Sequence, residues 1–335
     1  MIIARKFEIS IAYYSKEKNS LSGLNLNVIV GFEGSIDVKT GMIIDVSLIK
    51  KIVSSKLDLF DHTCISNNSF TKYEFFKHLT DAFWNIISSI EFDGVALKCI
   101  SISEMFGHKI KKKANEQSFF IETYLLSDNI IPISRIMDLD NYFVNPIRFE
   151  IASKNEPVIN DYINQYNPNK IDSFSTICTL SDQILKNNLS VKWLLLNGLF
   201  EIYFKDKFIF ITMYHFFDFS HRLNNPNLSY RENIDLFGKC NEQHGHRYRI
   251  GVTLQTTRNT FIKDKELLKI LIQSLPNTLL NIGDMITTGE NILLYFKDQI
   301  KKATHKSTFD ISLQETPNNY FFLEVKDDIK AYIKD

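Results

Sequence analysis

The chemistry in this chain concentrates in one short stretch. Phe217-Asp218-Phe219-Ser220-His221 closes an apolar run, and Cys240-Asn241-Glu242-Gln243-His244-Gly245-His246 opens the next. In extended chain alternate side chains face one way, so His244 and His246 share a side. If the two runs pair as an antiparallel hairpin, His221 supplies a third imidazole. Three protein nitrogens and one open position describe a catalytic Zn²⁺ site, whereas structural zinc sites are closed. A bare His-x-His on a strand is more often two surface or hydrogen-bonded histidines. Cys240 and His221 are what turn the reading toward a metal. Cys240 itself has two readings: a further zinc ligand, or a thiolate close to the cation but off it, acting as base or nucleophile.

The elements that must position these groups can be read from periodicity. Residues 6–14 and 26–36 read as strands, Asp45 caps a helix reaching residue 57, residues 71–90 have helical spacing, and residues 95–104 alternate like a strand. From residue 206 the same order returns. Strands are expected at 207–219 and 247–255, helices at 264–275 and 288–304, and closing strands at 308–315 and 319–325. The recurrence implies an internal duplication of a ββααββ unit. The expected organisation is a first module at 1–110, a connection of unassigned role at 111–205, and the histidine-bearing module at 206–335. The connection holds Pro132, Pro146, Pro157 and Pro168, yet its apolar runs at 118–126 and 193–204 argue against an unstructured segment.

Composition bounds the partners. A chain of 335 residues has room for two cores, and its 39 basic residues balance its 39 acidic ones. No strong field therefore argues for nucleic acid or an anionic membrane. The four cysteines are scattered, and neither a signal peptide nor a run long enough to span a bilayer is evident. The expectation is a cytoplasmic protein with free thiols.

The residues Phe217 to His221, Cys240 and His244 to His246 resemble the family of 6-pyruvoyl-tetrahydropterin and 6-carboxytetrahydropterin synthases. Its pattern is Phe-x-x-x-His, then Cys, then His-Gly-His leading into a strand. Thr288-Gly289-Glu290-Asn291 and Glu315-Thr316, followed by Asn318-Asn319, are similar to two further family motifs. The resemblance implies His221, His244 and His246 as zinc ligands, Cys240 as base, Glu315 as a catalytic residue at the pterin that accepts hydrogen bonds from its aminopyrimidine edge or assists the proton relay, and Thr288 and Glu290 as substrate-binding residues. The ordinary alternatives are a helix capping box at 287–290 and a solvated turn at Glu315.

The departures are as informative. The family's Asp-His dyad is missing from the C-terminal module, where Leu275-Pro276-Asn277-Thr278 stands instead, but Phe60-Asp61-His62 occupies that position in the N-terminal module. Conversely, the N-terminal zinc positions align with Tyr13, Ser22 and Leu24. The expectation is that Asp61 and His62 reach Cys240 and the metal across an interface between modules. The resemblance further implies an α+β fold of tandem tunnelling-fold (T-fold) modules, each a four-stranded antiparallel sheet with two helices on one face, joined edge to edge in a homo-oligomer. Rings built from whole two-module chains would hold an even number of modules. The implied activity is a zinc-dependent lyase acting on 7,8-dihydroneopterin triphosphate or a close pterin. The alternative is a non-catalytic zinc- or pterin-binding assembly protein of the same fold. Arg222, Arg247 and Arg249 are candidates for neutralising a triphosphate to which no role is assigned.

Overall fold

Alternation builds the first sheet. On β1 (Ile2–Ser15) Ile9, Ile11 and Tyr13 are buried, and on β2 (Ser20–Gly34) Leu26, Val28, Val30 and Phe32 are buried, so each strand turns one apolar face inward. Two helices cover that face. Asp45 caps α1 (Val46–Leu57) by accepting the Ser47 N–H, and Thr71 and Glu74 form a reciprocal capping box on α2 (Lys72–Ser88). Their apolar stripes, Ile49, Val53 and Leu57 on α1 and Phe75, Phe76, Leu79, Phe83 and Ile87 on α2, are buried. Between the helices β3 (Thr63–Phe70) runs parallel to the end of β1, and β4 (Val95–Ser103) and β5 (His108–Lys113) complete the sheet.

This computed structural model describes residues 1–104, 108–113, 116–125, 147–153, 174–186, 190–195, 199–205, 208–279, 284–304 and 309–325. The middle of the chain contributes β6 (Glu116–Leu125), β7 (Ile147–Ser153), α3 (Phe174–Leu185), β8 (Ser190–Leu195) and β9 (Phe200–Lys205). The C-terminal module repeats the first. It comprises β10 (Phe208–His221), a short helix α4 (Tyr230–Phe237) followed by a 3₁₀ turn, then β11 (His244–Thr256), α5 (Phe261–Ser274), β12 (Thr278–Leu279), α6 (Gly289–Thr304), β13 (Phe309–Thr316) and β14 (Asn319–Val325).

The twelve long strands close into one antiparallel ring in the order β10-β11-β13-β14-β1-β2-β4-β5-β6-β7-β8-β9, and β9 pairs with β10 again. β3 and β12 lie outside it, each alongside the first strand of its module. Closure removes the exposed edges that a single module would leave.

Two expectations change. The fourth strand of the first module runs to Lys113, across the boundary expected at 110, because Ile100–Ser103 of β4 supplies its pairing partners. Residues 111–205, expected to be a connection of unassigned role, supply four strands. Each chain therefore brings three sheets to the ring, and the even count expected for whole chains does not hold.

Candidate metal centre at the seam of two modules

The hairpin of β10 and β11 sets the histidines. His221 pairs with His244 and Phe219 with His246, and the three imidazoles offer ligand atoms within 4.8 Å of one another. Their ring centroids are 4.6, 5.5 and 5.1 Å apart. A Zn²⁺ ion bound at ~2.1 Å from each nitrogen needs spacings of about 3.4 Å, so adjustments on the order of an ångström would close the cluster.

The protein also fixes the tautomers. His221 Nδ1 donates to Thr287 O at 2.9 Å and His244 Nδ1 donates to Glu242 O at 2.8 Å, which leaves each Nε2 lone pair for an ion. Burial, and then the neighbouring His244, push His221 down to about 4, so it is neutral and ligand-competent at pH 7.

Cys240 does not join the three-histidine cluster. Its thiol is exposed, yet partial desolvation and the carboxylates of Glu315 and Asp45 push it above the usual range. A thiolate base would need a cation beside it, and the charged groups that act on Cys240 among the described residues are these two carboxylates.

The carboxylates have specific partners. Tyr248 donates to Glu315 Oε1 at 3.1 Å and lies 3.3 Å from His221 Nε2, while Asn319 Nδ2 donates to Glu315 Oε2 and Arg5 Nη1 donates to Asn319 Oδ1 at 2.6 Å. A polar chain thus runs from the histidine cluster through Glu315 to the first module, and Glu315 is not a solvated turn residue. Glu290 is 2% exposed and accepts the Ile43 N–H at 3.0 Å, reaching across the seam instead of back to Thr287 as a capping box requires. Burial pushes it up to about 7. Thr288 donates to Gly41 O, and Asn225 donates to Lys39 O, so residues 39–43 of the first module roof this end of the second. Gly41 has φ +72°, and a Cβ there would lie 2.7 Å from Asn291 Nδ2, which explains a glycine at the contact.

The pairing register shapes the opening. β11 stays paired with β13 only as far as Arg249, and β1 with β14 only as far as Arg5, so both outer strands overrun the turn between β13 and β14. The overrun of β11 carries His244 and His246. On β1 the Lys6 N–H closes the β14 edge on Asn318 O, and the next groups on that edge are Asp61 and His62. Ser10 N donates to Asp61 Oδ1 at 2.7 Å, and His62 N donates to Ser10 O at 2.6 Å. The result is a notch with the histidines on one wall and the Asp61–His62 dyad on the other. Its walls are three strand spacings, about 14 Å, apart.

Within the dyad, Asp61 Oδ2 lies 2.9 Å from His62 Nδ1, and the Ser10 N–H is the main reason the Asp61 carboxyl sits below its usual range. His62 is 80% exposed at its side chain and holds φ +55°.

Sequence reasoning missed Tyr248, Asn319 as a partner, Arg5 and the 39–43 roof. Tyr248 carried a signal, because it shares the alternation of His244 and His246. Arg5 carried none, since its role depends on the joining of β1 to β14. Arg247 and Arg249 alternate with these residues and face the other side, where Arg249 lies 3.7 Å over the Tyr214 ring.

A family model described as 6-pyruvoyl tetrahydropterin synthase matches residues 3–118 and again 210–326. Similar proteins include the 6-pyruvoyl tetrahydrobiopterin synthases of Dictyostelium discoideum, 27% identical over 33% of this chain and 93% of that one, and of Homo sapiens, 31% identical over 31% and 82%. The solved Caenorhabditis elegans 6-pyruvoyl tetrahydropterin synthase is 25% identical, covers 35% of this chain and 95% of its own, and has a TM-score of 0.31.

Proposed function

Because the chain belongs to the 6-pyruvoyl tetrahydropterin synthase family, with tandem T-fold regions, we propose that it is a zinc-dependent lyase acting on 7,8-dihydroneopterin triphosphate. The observation that carries this reading is the three-histidine cluster whose Nδ1 atoms are held on carbonyls beside two partnered carboxylates. When bound, Zn²⁺ would supply Lewis acidity to the oxygens of the substrate side chain.

The chain's own residues do the rest. Glu315, fixed by Tyr248 and Asn319, accepts hydrogen bonds from the aminopyrimidine edge, and Thr288 and Glu290 hold the same end of the pterin. Cys240 removes a proton from a side-chain carbon, and the electron pair released expels the triphosphate by breaking its C–O bond. His62, oriented by Asp61 on the facing wall of the notch, moves the proton between Cys240 and solvent. The product is a pyruvoyl pterin, or 6-carboxytetrahydropterin if the side chain is cleaved further. Homo-oligomerisation and a cytoplasmic site of action belong to the same proposal. Among the described residues no helix is long and apolar enough to cross a membrane.

A non-catalytic zinc- or pterin-binding role is favoured by one observation, the raised Cys240 thiol. Incubating zinc-loaded protein with 7,8-dihydroneopterin triphosphate and identifying the product by mass separates the two. Release of triphosphate with a pyruvoyl or carboxy pterin supports the lyase, and unchanged substrate that remains bound supports the alternative.

A further inference from the structure

The first module sends one cation into the polar chain that ends at Glu315, and most of its donors are unused. Arg5 shares the inward alternation of Ile9, Ile11 and Tyr13 on β1, and stands between Asn319 of β14 and Val30 of β2. Its Nη1 donates to Asn319 Oδ1 at 2.6 Å, and Asn319 Nδ2 in turn donates to Glu315 Oε2 at 3.2 Å. That is one bond for a group with about five N–H donors. The Nε–H is shut off from solvent and has no partner, and among the described residues no carboxylate pairs with Arg5. Burial holds its guanidinium below the usual arginine range. A guanidinium this short of acceptors is costly to bury unless a ligand supplies one.

Arg5 also lines a cavity of about 320 Å³ between residues 5–9 of β1 and helix α1, with Asn318 at the end where β14 begins. That volume lies at the small end of ligand pockets, roughly 300–1,000 Å³. Phe7, Ile9 and Leu57 make part of its wall apolar, which suits the face of a flat heterocycle. Three cations, Arg5, Lys6 and Lys50, and two carboxylates, Glu8 and Asp58, line it, so its net charge gives a polyanion little purchase. Lys6 is moreover paired with Glu8 at 2.9 Å. An aminopyrimidine edge has the complementary pattern. Its 2-amino group and N3–H, which a carboxylate takes as a pair, are flanked by two acceptors, N1 on one side and the 4-oxo oxygen on the other. A donor beside the carboxylate therefore meets an acceptor whichever way round the ring sits.

We propose that Arg5 is a specificity residue for the pterin, supplied by the first module to the site of the last. With Glu315 holding the donor pair, the Arg5 guanidinium donates to the acceptor that flanks it. The role depends on Glu315 being the pterin anchor, and it is one of recognition alone, outside the proton transfer.

Titration calorimetry of the full zinc-loaded chain tests it, with 7,8-dihydroneopterin, which carries no phosphate, and inorganic triphosphate as probes. Arg5→Met is expected to weaken dihydroneopterin binding roughly tenfold or more. Inorganic triphosphate should bind as in the parent, and turnover of the triphosphate substrate should suffer mostly in KM. Placed in an Asn319→Ala background, Arg5→Met should still cost roughly tenfold, because its contact is with the ring. A loss that vanishes there puts Arg5 behind Asn319 as a structural partner and overturns the proposal. Unchanged dihydroneopterin affinity, or a loss confined to inorganic triphosphate, overturns it too. If Arg5→Met does not fold, Arg5→Lys carries the same comparison, since it keeps a charge and loses the planar fork; a loss of about threefold or more is expected. A parent that binds dihydroneopterin without turning over its triphosphate sinks the lyase reading alone, and one that binds no dihydroneopterin sinks this role of Arg5.

Discussion

The first and last modules present the same lattice points at corresponding ends, and fill them differently. In the last, His221 pairs with His244 and Phe219 with His246; in the first, Tyr13 pairs with Ser22 and Ile11 with Leu24. Three residues before each of these leading positions the correspondence holds again: Ser10 N donates to Asp61 Oδ1, and Asp218 N donates to Asn277 O. One module thus keeps the imidazoles and loses the dyad, and the other keeps the dyad and replaces the imidazoles with packing. Tyr13 is 2% exposed and stacks on Phe75 at 4.1 Å. The difference teaches that duplication allowed each copy to specialise, because ring closure sets the imidazole wall of one against the dyad wall of the other. Only at this seam do both halves meet among the described residues.

The largest effect expected from breaking the asymmetry is at the imidazoles. His221→Ala or His244→Ala should abolish bound metal and lower turnover by about three orders of magnitude or more, measured by metal analysis alongside product mass. Cys240→Ser should keep the metal and lose about a hundred- to ten-thousandfold in kcat. His62→Ala tests the opposite wall: roughly a hundredfold loss with metal retained is expected, and wild-type turnover would remove the dyad from the reaction.

Glu290 sharpens the comparison through pH. Ionising it in the fold costs on the order of 3 kcal/mol, since burial pushes it up to about 7. Its raised pKa stabilises the fold fully below the unfolded glutamate value near 4.5. That contribution is lost as pH rises through about 7. Melting curves from pH 4 to 8 should therefore fall more steeply for the parent than for Glu290→Gln. The smallest effect on chemistry is expected at Tyr13→Ala, which should cost about 3 kcal/mol of stability by emptying a core position, while metal content stays the same.

Much of this was legible because local patterns encode it. The alternation of β1, β2, β10 and β11, the Asp45 and Thr71 caps, and the His244-Gly245-His246 spacing are properties of neighbouring residues. β3 and β12 were missed, one being polar and the other two residues long, and α4 because eight residues give little periodicity. The role of 111–205 was unreadable for a different reason: its strands acquire meaning only when β9 meets β10 and the ring closes. Likewise Glu290 and Arg5 depend on contacts between residues more than two hundred positions apart, with Ile43 and Asn319.

Zinc stoichiometry measured on the intact chain and on His221→Ala tests the central claim most directly. One ion per chain in the parent and none in the variant is the expected result. No retained ion in the parent, two per chain, or an unchanged count in the variant would contradict it.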